Sequence, residues 1–128
     1  MTEYIVAPLD EPDWAVDAEE FANGLRGRWP AARVGLGSIE GSSMALEALI
    51  PLQPSPRELG IALSGTGQAV TLDPADPAAA AEFANWFVGQ FLSGRSGVHL
   101  IEPSSMQTVE IIADLSGEEI LNRLASQE

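Results

Sequence analysis

The stretch PAAAAEFANWFVGQFLSG, residues 77–94, decides how the rest of the chain is read. Asp76 stands where a helix N-cap should, Pro77 suits the first helical position, and Ser93-Gly94 supplies a stop. With successive residues about 100° apart, Ala80, Phe83, Ala84, Phe87, Val88 and Phe91 form one broad apolar arc. Glu82, Asn85, Gly89 and Ser93 form a narrow polar stripe opposite. At about 16 residues such a helix is too short and too interrupted to span a bilayer, so it is a core helix. Trp86 fits least well. It falls beside the polar stripe, flanked by Glu82 and Gln90, while Phe83, Phe87 and Phe91 are expected to be buried. A tryptophan at the edge of a buried face is a candidate anchor for a partner, and Trp86, Glu82 and Gln90 form the candidate site. The competing reading has the C-terminal helix or a loop folded over the indole.

Upstream, LDPADP places Asp73 and Asp76 at the helix start, where capping accounts for both. Before it come four strand candidates. RVGLGSI is short and glycine-rich. MALEALIPL alternates Met44, Leu46, Ala48, Ile50 and Leu52; ELGIALS alternates Leu59, Ile61 and Leu63; QAVTL supplies Val70 and Leu72. SGTG has hairpin chemistry, and QPSPRE is a turn too rich in proline for a strand. Earlier still, EYIVAPL reads as a first strand ended by Pro8. DEPD then opens a helix from Asp13, with Pro12 in its first turn. Its stripe is Trp14, Ala18, Phe21, Leu25 and Trp29, with Glu19, Asn23 and Arg26 on the other side.

Downstream, VHLIE and QTVEII flank a PSSM turn. SGEEILNRLASQE begins with a Ser116–Glu119 capping box that turns Ile120, Leu121 and Leu124 inward. The order is β-α-β-β-β-β-α-β-β-α. Runs of strands, rather than strict alternation with helices, predict an α+β fold. The expectation is a single domain over 1–128, with a largely antiparallel sheet and helices on one face.

The charge is lopsided, with 19 acids against 6 bases and a net charge of −13. Every base is an arginine. Nucleic acid and anionic lipid would be repelled, whereas a basic protein surface would be attracted; high charge also simply favours solubility. The absence of cysteine excludes disulfides and thiolate chemistry. The first residues lack the basic region of a signal peptide, and no apolar run reaches membrane-span length, so a cytoplasmic protein is expected.

Catalytic signals are sparse. His99 is the single histidine and lies mid-strand beside Ile101, as a half-buried, hydrogen-bonded histidine does. LSGTG around Ser64 lacks the leading glycine of a nucleophile elbow. GLGSIEG runs on into a strand, so it is not a phosphate loop. Without lysine there is no Schiff base. Acid-pair hydrolysis and carboxylate metal ligation need a convergence that spacing does not reveal. No catalytic residue, cofactor or metal is expected.

The residues Ala81-Glu82-Phe83-Ala84, Trp86 and Phe87, followed by VHLIEP, QTVEII and LSGEEIL, resemble a set of small, acidic, uncharacterised actinobacterial proteins. The resemblance covers about the last 50 residues. Many such proteins look like the immunity proteins of bacterial toxin systems, which implies inhibition of a partner rather than an activity. In element order alone the chain is similar to class I chaperones of type III secretion, which work as homodimers. The first strand and the fourth meander strand depart from that pattern. The expected function is therefore a non-enzymatic acidic protein-binding module, an immunity-like inhibitor of a basic partner. The alternative is a chaperone-like or scaffold homodimer. A small Asp/Glu enzyme using His99 is the outside reading.

Overall fold

The computed structural model describes residues 2–8, 14–36, 44–52, 58–64, 67–92, 97–103, 106–111 and 117–125. In chain order the elements are β1 (Thr2–Pro8), α1 (Ala18–Arg28), β2 (Arg33–Leu36), β3 (Met44–Pro51), β4 (Glu58–Ser64) and β5 (Val70–Ala75). They continue with α2 (Pro77–Phe91), β6 (Val98–Glu102), β7 (Gln107–Glu110) and α3 (Gly117–Ala125). The α+β class and the expected element order are what the chain adopts. The strands make one seven-stranded sheet, in the order β2-β3-β4-β5-β1-β6-β7, and every neighbouring pair is antiparallel.

The first strand thus lies inside the sheet, between β5 and β6. Two helical crossovers follow from this: α1 carries the chain from β1 to the edge strand β2, and α2 carries it from β5 across β1 to β6. Strict alternation assigns the two faces. Tyr4, Val6, Leu46, Ile50, Leu59, Leu63, Leu72, Val98 and Leu100 are buried on one face, beneath the helices. On the other face a single row of cross-strand partners runs Gly35, Glu47, Ala62, Thr71, Ile5, Ile101, Thr108.

Helix α2 forms as the sequence predicts. The Asp76 carboxylate accepts a 2.8 Å hydrogen bond from the Ala79 amide, and Pro77 occupies the first turn. Its Phe83, Phe87, Ala84 and Val88 are fully buried, each large side chain worth about 1.5–3 kcal/mol of transfer free energy. Asp73 is not part of this cap. It is exposed within β5, which continues to Ala75 because Ala75 pairs with Thr2.

Helix α1 starts later than DEPD suggests. Its N-cap is Asp17, whose carboxylate accepts from the Glu20 amide at 3.1 Å, and residues 9–13 lie outside the described set. Trp14 therefore precedes the helix, partly buried against the core. The reason for the delay is tertiary. Val16 N–H donates to the Gly67 carbonyl at 2.8 Å, and the Gln68 side-chain amide donates to the Trp14 carbonyl at 3.0 Å. These bonds tie the segment to the β4–β5 turn as an extended strap. Gly67 is obligatory there: its φ is +73°, and a Cβ would lie 2.5 Å from the Val16 carbonyl oxygen. The turn itself is held by the Ser64 hydroxyl, which accepts from the Gln68 and Ala69 amides.

At the far edge, the Ile111 amide donates to the Val98 carbonyl, and Ile111 and Ile120 are buried. Ser116, most of QPSPRE, residues 37–43 and the side chains of Met44, Leu121 and Leu124 lie outside the described set. No helix among the described residues is long and apolar enough to cross a membrane.

Candidate protein-docking site

Between α1 and α2 six aromatic rings meet. Phe21 of α1 makes edge-on contacts with Phe83, Phe87 and Phe91, at centroid distances of 6.2, 5.6 and 5.7 Å. Phe83 stacks on Phe87 at 5.7 Å and on Trp29 at 6.2 Å. Edge-to-face and offset pairs of this kind add about 0.5–1.5 kcal/mol each beyond the area they bury.

Trp86 belongs to this cluster. Its indole lies 5.1 Å from Trp29, 5.5 Å from Phe91, 5.8 Å from Phe83 and 6.3 Å from Phe21. The sequence expectation that it sits apart from the phenylalanines is thereby corrected. The element that covers one side of it is α1, through Phe21 and Gly24. Phe91 is likewise only partly buried, where full burial was expected. The partial exposure of both rings has one cause: they stand at the mouth of the interhelical seam rather than at its floor.

That mouth is a groove of about 710 Å³, lined by Glu20, Asn23, Gly24, Gly27 and Arg28 of α1 and by Trp86, Gln90 and Phe91 of α2. Its depth comes from glycine. A Cβ at Gly24 would meet Phe91 Cζ at 3.0 Å and Trp86 Cζ2 at 3.2 Å, so glycine lets the two rings lie closer to the α1 backbone than a side chain would allow without their shifting. At Gly27 a Cβ would meet nothing within 4 Å, which leaves that part of the groove open. Two glycines in a helix are costly, by about 0.5–1 kcal/mol each relative to alanine, and close approach explains the first of them. These residues were not singled out from the sequence. The available signal was the pair of glycines inside an otherwise amphipathic helical pattern.

The candidate residues are placed differently from one another. Trp86 and Gln90 both line the groove. Glu82 does not; it forms an ion pair with Arg28 across the two helices. With the two side chains 42% and 54% exposed, the pair is a surface clasp of small energetic worth. The Arg28 guanidinium also lies 4.8 Å from the Trp29 ring centroid. A partner's arginine would therefore have to compete with Arg28 for Glu82, while Glu20 stays at the groove wall.

His99 lines neither this groove nor the depression in the opposite sheet face. It is half-buried in β6, with Nδ1 3.0 Å from the Gly97 carbonyl and Glu110 as its cross-strand neighbour. The Glu110 carboxylate accepts from the Gly97 amide. Among the described residues no cluster of three or more histidine, aspartate or glutamate side chains could hold a metal ion. Comparison with protein families, with curated proteins and with solved structures finds no match.

Proposed function

We propose that this chain is a non-enzymatic, acidic protein-binding module that docks a basic partner protein, in the manner of an immunity protein, at the groove between α1 and α2. One observation carries this reading: two large aromatic rings, Trp86 and Phe91, stand partly exposed over helix glycines in an open concavity. An aromatic anchor in a concave site is the feature that concentrates binding energy at protein interfaces. The net charge of −13 draws a basic partner toward the molecule and speeds encounter.

The test is co-purification from the native host, comparing the unaltered chain with Gly27→Trp. Gly27 is exposed, lines the groove, and a Cβ there meets nothing within 4 Å, so a tryptophan at this position has room to start into the groove. Recovery of one basic protein by the unaltered chain and its loss with Gly27→Trp is the expected result. A partner retained equally by both chains removes the groove from the interface. Recovery of the chain with a second copy of itself would favour the homodimer instead.

A further inference from the structure

The face of the sheet turned away from the helices has its own shape and charge. In its middle, β4 contributes Gly60 and Ala62, whose lack of side-chain volume opens a depression of about 340 Å³ walled by Glu47, Leu49, Thr71 and Asp73. Beside it Ile5 and Ile101, direct cross-strand partners, are only partly buried. An antiparallel sheet with one solvated face ordinarily alternates apolar inward and polar outward. Here the outward positions include the aliphatic and small residues Leu49, Gly60, Ala62, Ile5 and Ile101, with Thr71 of β5 between Ala62 and Ile5. Charge surrounds these positions: Glu47, Glu58, Asp73 and Glu110 share this face, against Arg33 among the described residues. Among the described residues no helix lies over it.

We propose that this open sheet face is a second docking surface, and that its occupant is a basic amphipathic helix of a partner protein, with an aliphatic stripe laid across β3, β4, β5 and β1. A strand pairs with an edge, not with a face, so a helix is the element that a flat face accepts. Gly60 and Ala62 allow that helix to approach closely, as glycine does for the rings on α1. Its flanking arginines or lysines would meet Glu47 and Asp73. A second copy of this chain is the poorer occupant, because face-to-face copies would oppose the same carboxylates.

The experiment is an amide chemical-shift titration of the full chain with a synthetic helical peptide of about 18 residues, about 27 Å long, bearing one leucine stripe and otherwise arginine and lysine. A scrambled isomer of identical composition serves as control. The amphipathic peptide is expected to bind at least about tenfold tighter than the isomer, since charge alone cannot distinguish them. Shifts should centre on Ile5, Leu49, Ala62, Thr71 and Ile101. Ala62→Arg, which fills the depression with like charge, and independently the exposed Glu47→Arg should each weaken binding while leaving the thermal midpoint in place. Gly27→Trp should have no effect, which separates this proposal from the groove. Equal affinity for both peptides, shifts confined to the α1–α2 groove, or peptide-free, concentration-dependent shifts of this face from self-association would each overturn it.

Discussion

The two faces of the one sheet are made by the same strands and read oppositely. Toward the helices, β3, β4, β5, β1 and β6 present Leu46, Ile50, Leu63, Leu72, Tyr4 and Leu100, all fully buried. One residue along, the same strands present Glu47, Leu49, Ala62, Thr71, Ile5 and Ile101, none of them fully buried. The helix-covered face is filled by large side chains whose removal leaves cavities, while on the open face the small Gly60 and Ala62 leave a hollow already. The large buried side chains are thus concentrated on one side of the sheet.

Breaking the covered face should be costly. Phe87→Ala removes a ring that touches Phe21, Phe83 and Phe91, and should cost about 3–5 kcal/mol in chemical denaturation. Trp86→Ala, at the mouth of the seam, should cost clearly less, about 2 kcal/mol, while weakening partner binding by about as much. A loss of stability equal to that of Phe87→Ala would place the indole in the core and end its role as an anchor. Gly67→Ala forces an L side chain into positive φ and against the Val16 carbonyl, so it should lower stability by more than about 1 kcal/mol. On the open face, Ile101→Thr should cost under about 1 kcal/mol, because the side chain is already partly in water. A larger loss would mean that this face is covered. Glu82→Gln, which unclasps Arg28, should change stability least, by about 0.2–1 kcal/mol, and the effect should shrink further in high salt.

Much of this was legible locally. The 3.6-residue period from Ala80 to Phe91 and the two-residue period of β3 and β4 each follow from which side of an element faces the core, and the Asp76-Pro77 start is cap chemistry. What failed was decided by contacts between elements. Several carboxylates before Phe21 could cap a helix; Asp17 does so because the strap from Trp14 to Val16 is bonded to the β4–β5 turn, a partner distant in sequence. Asp73 looked like a second cap because nothing nearby reveals that β5 runs on to pair Ala75 with Thr2. Trp86 lies near the polar side of α2 by angle, yet α1 arrives on that side, and helical angle carries no information about which neighbour docks where. Gln90, expected beside Trp86 by the same angle, does line the groove with it. The open face was legible only in outline, since its hollow depends on strand order that no local pattern encodes.

The place of β1 has a consequence for how the chain assembles. Its ladder partners, residues 70–75 on one side and 98–101 on the other, lie far along the chain, so the β2–β5 meander and the β6–β7 hairpin can form from local contacts while β1 waits. Those pairings carry the largest loop-closure entropy in the sheet. Without β1 the β2–β5 and β6–β7 half-sheets would each present a raw inner edge, open to pairing with any stray strand, and β1 is the keystone that closes both.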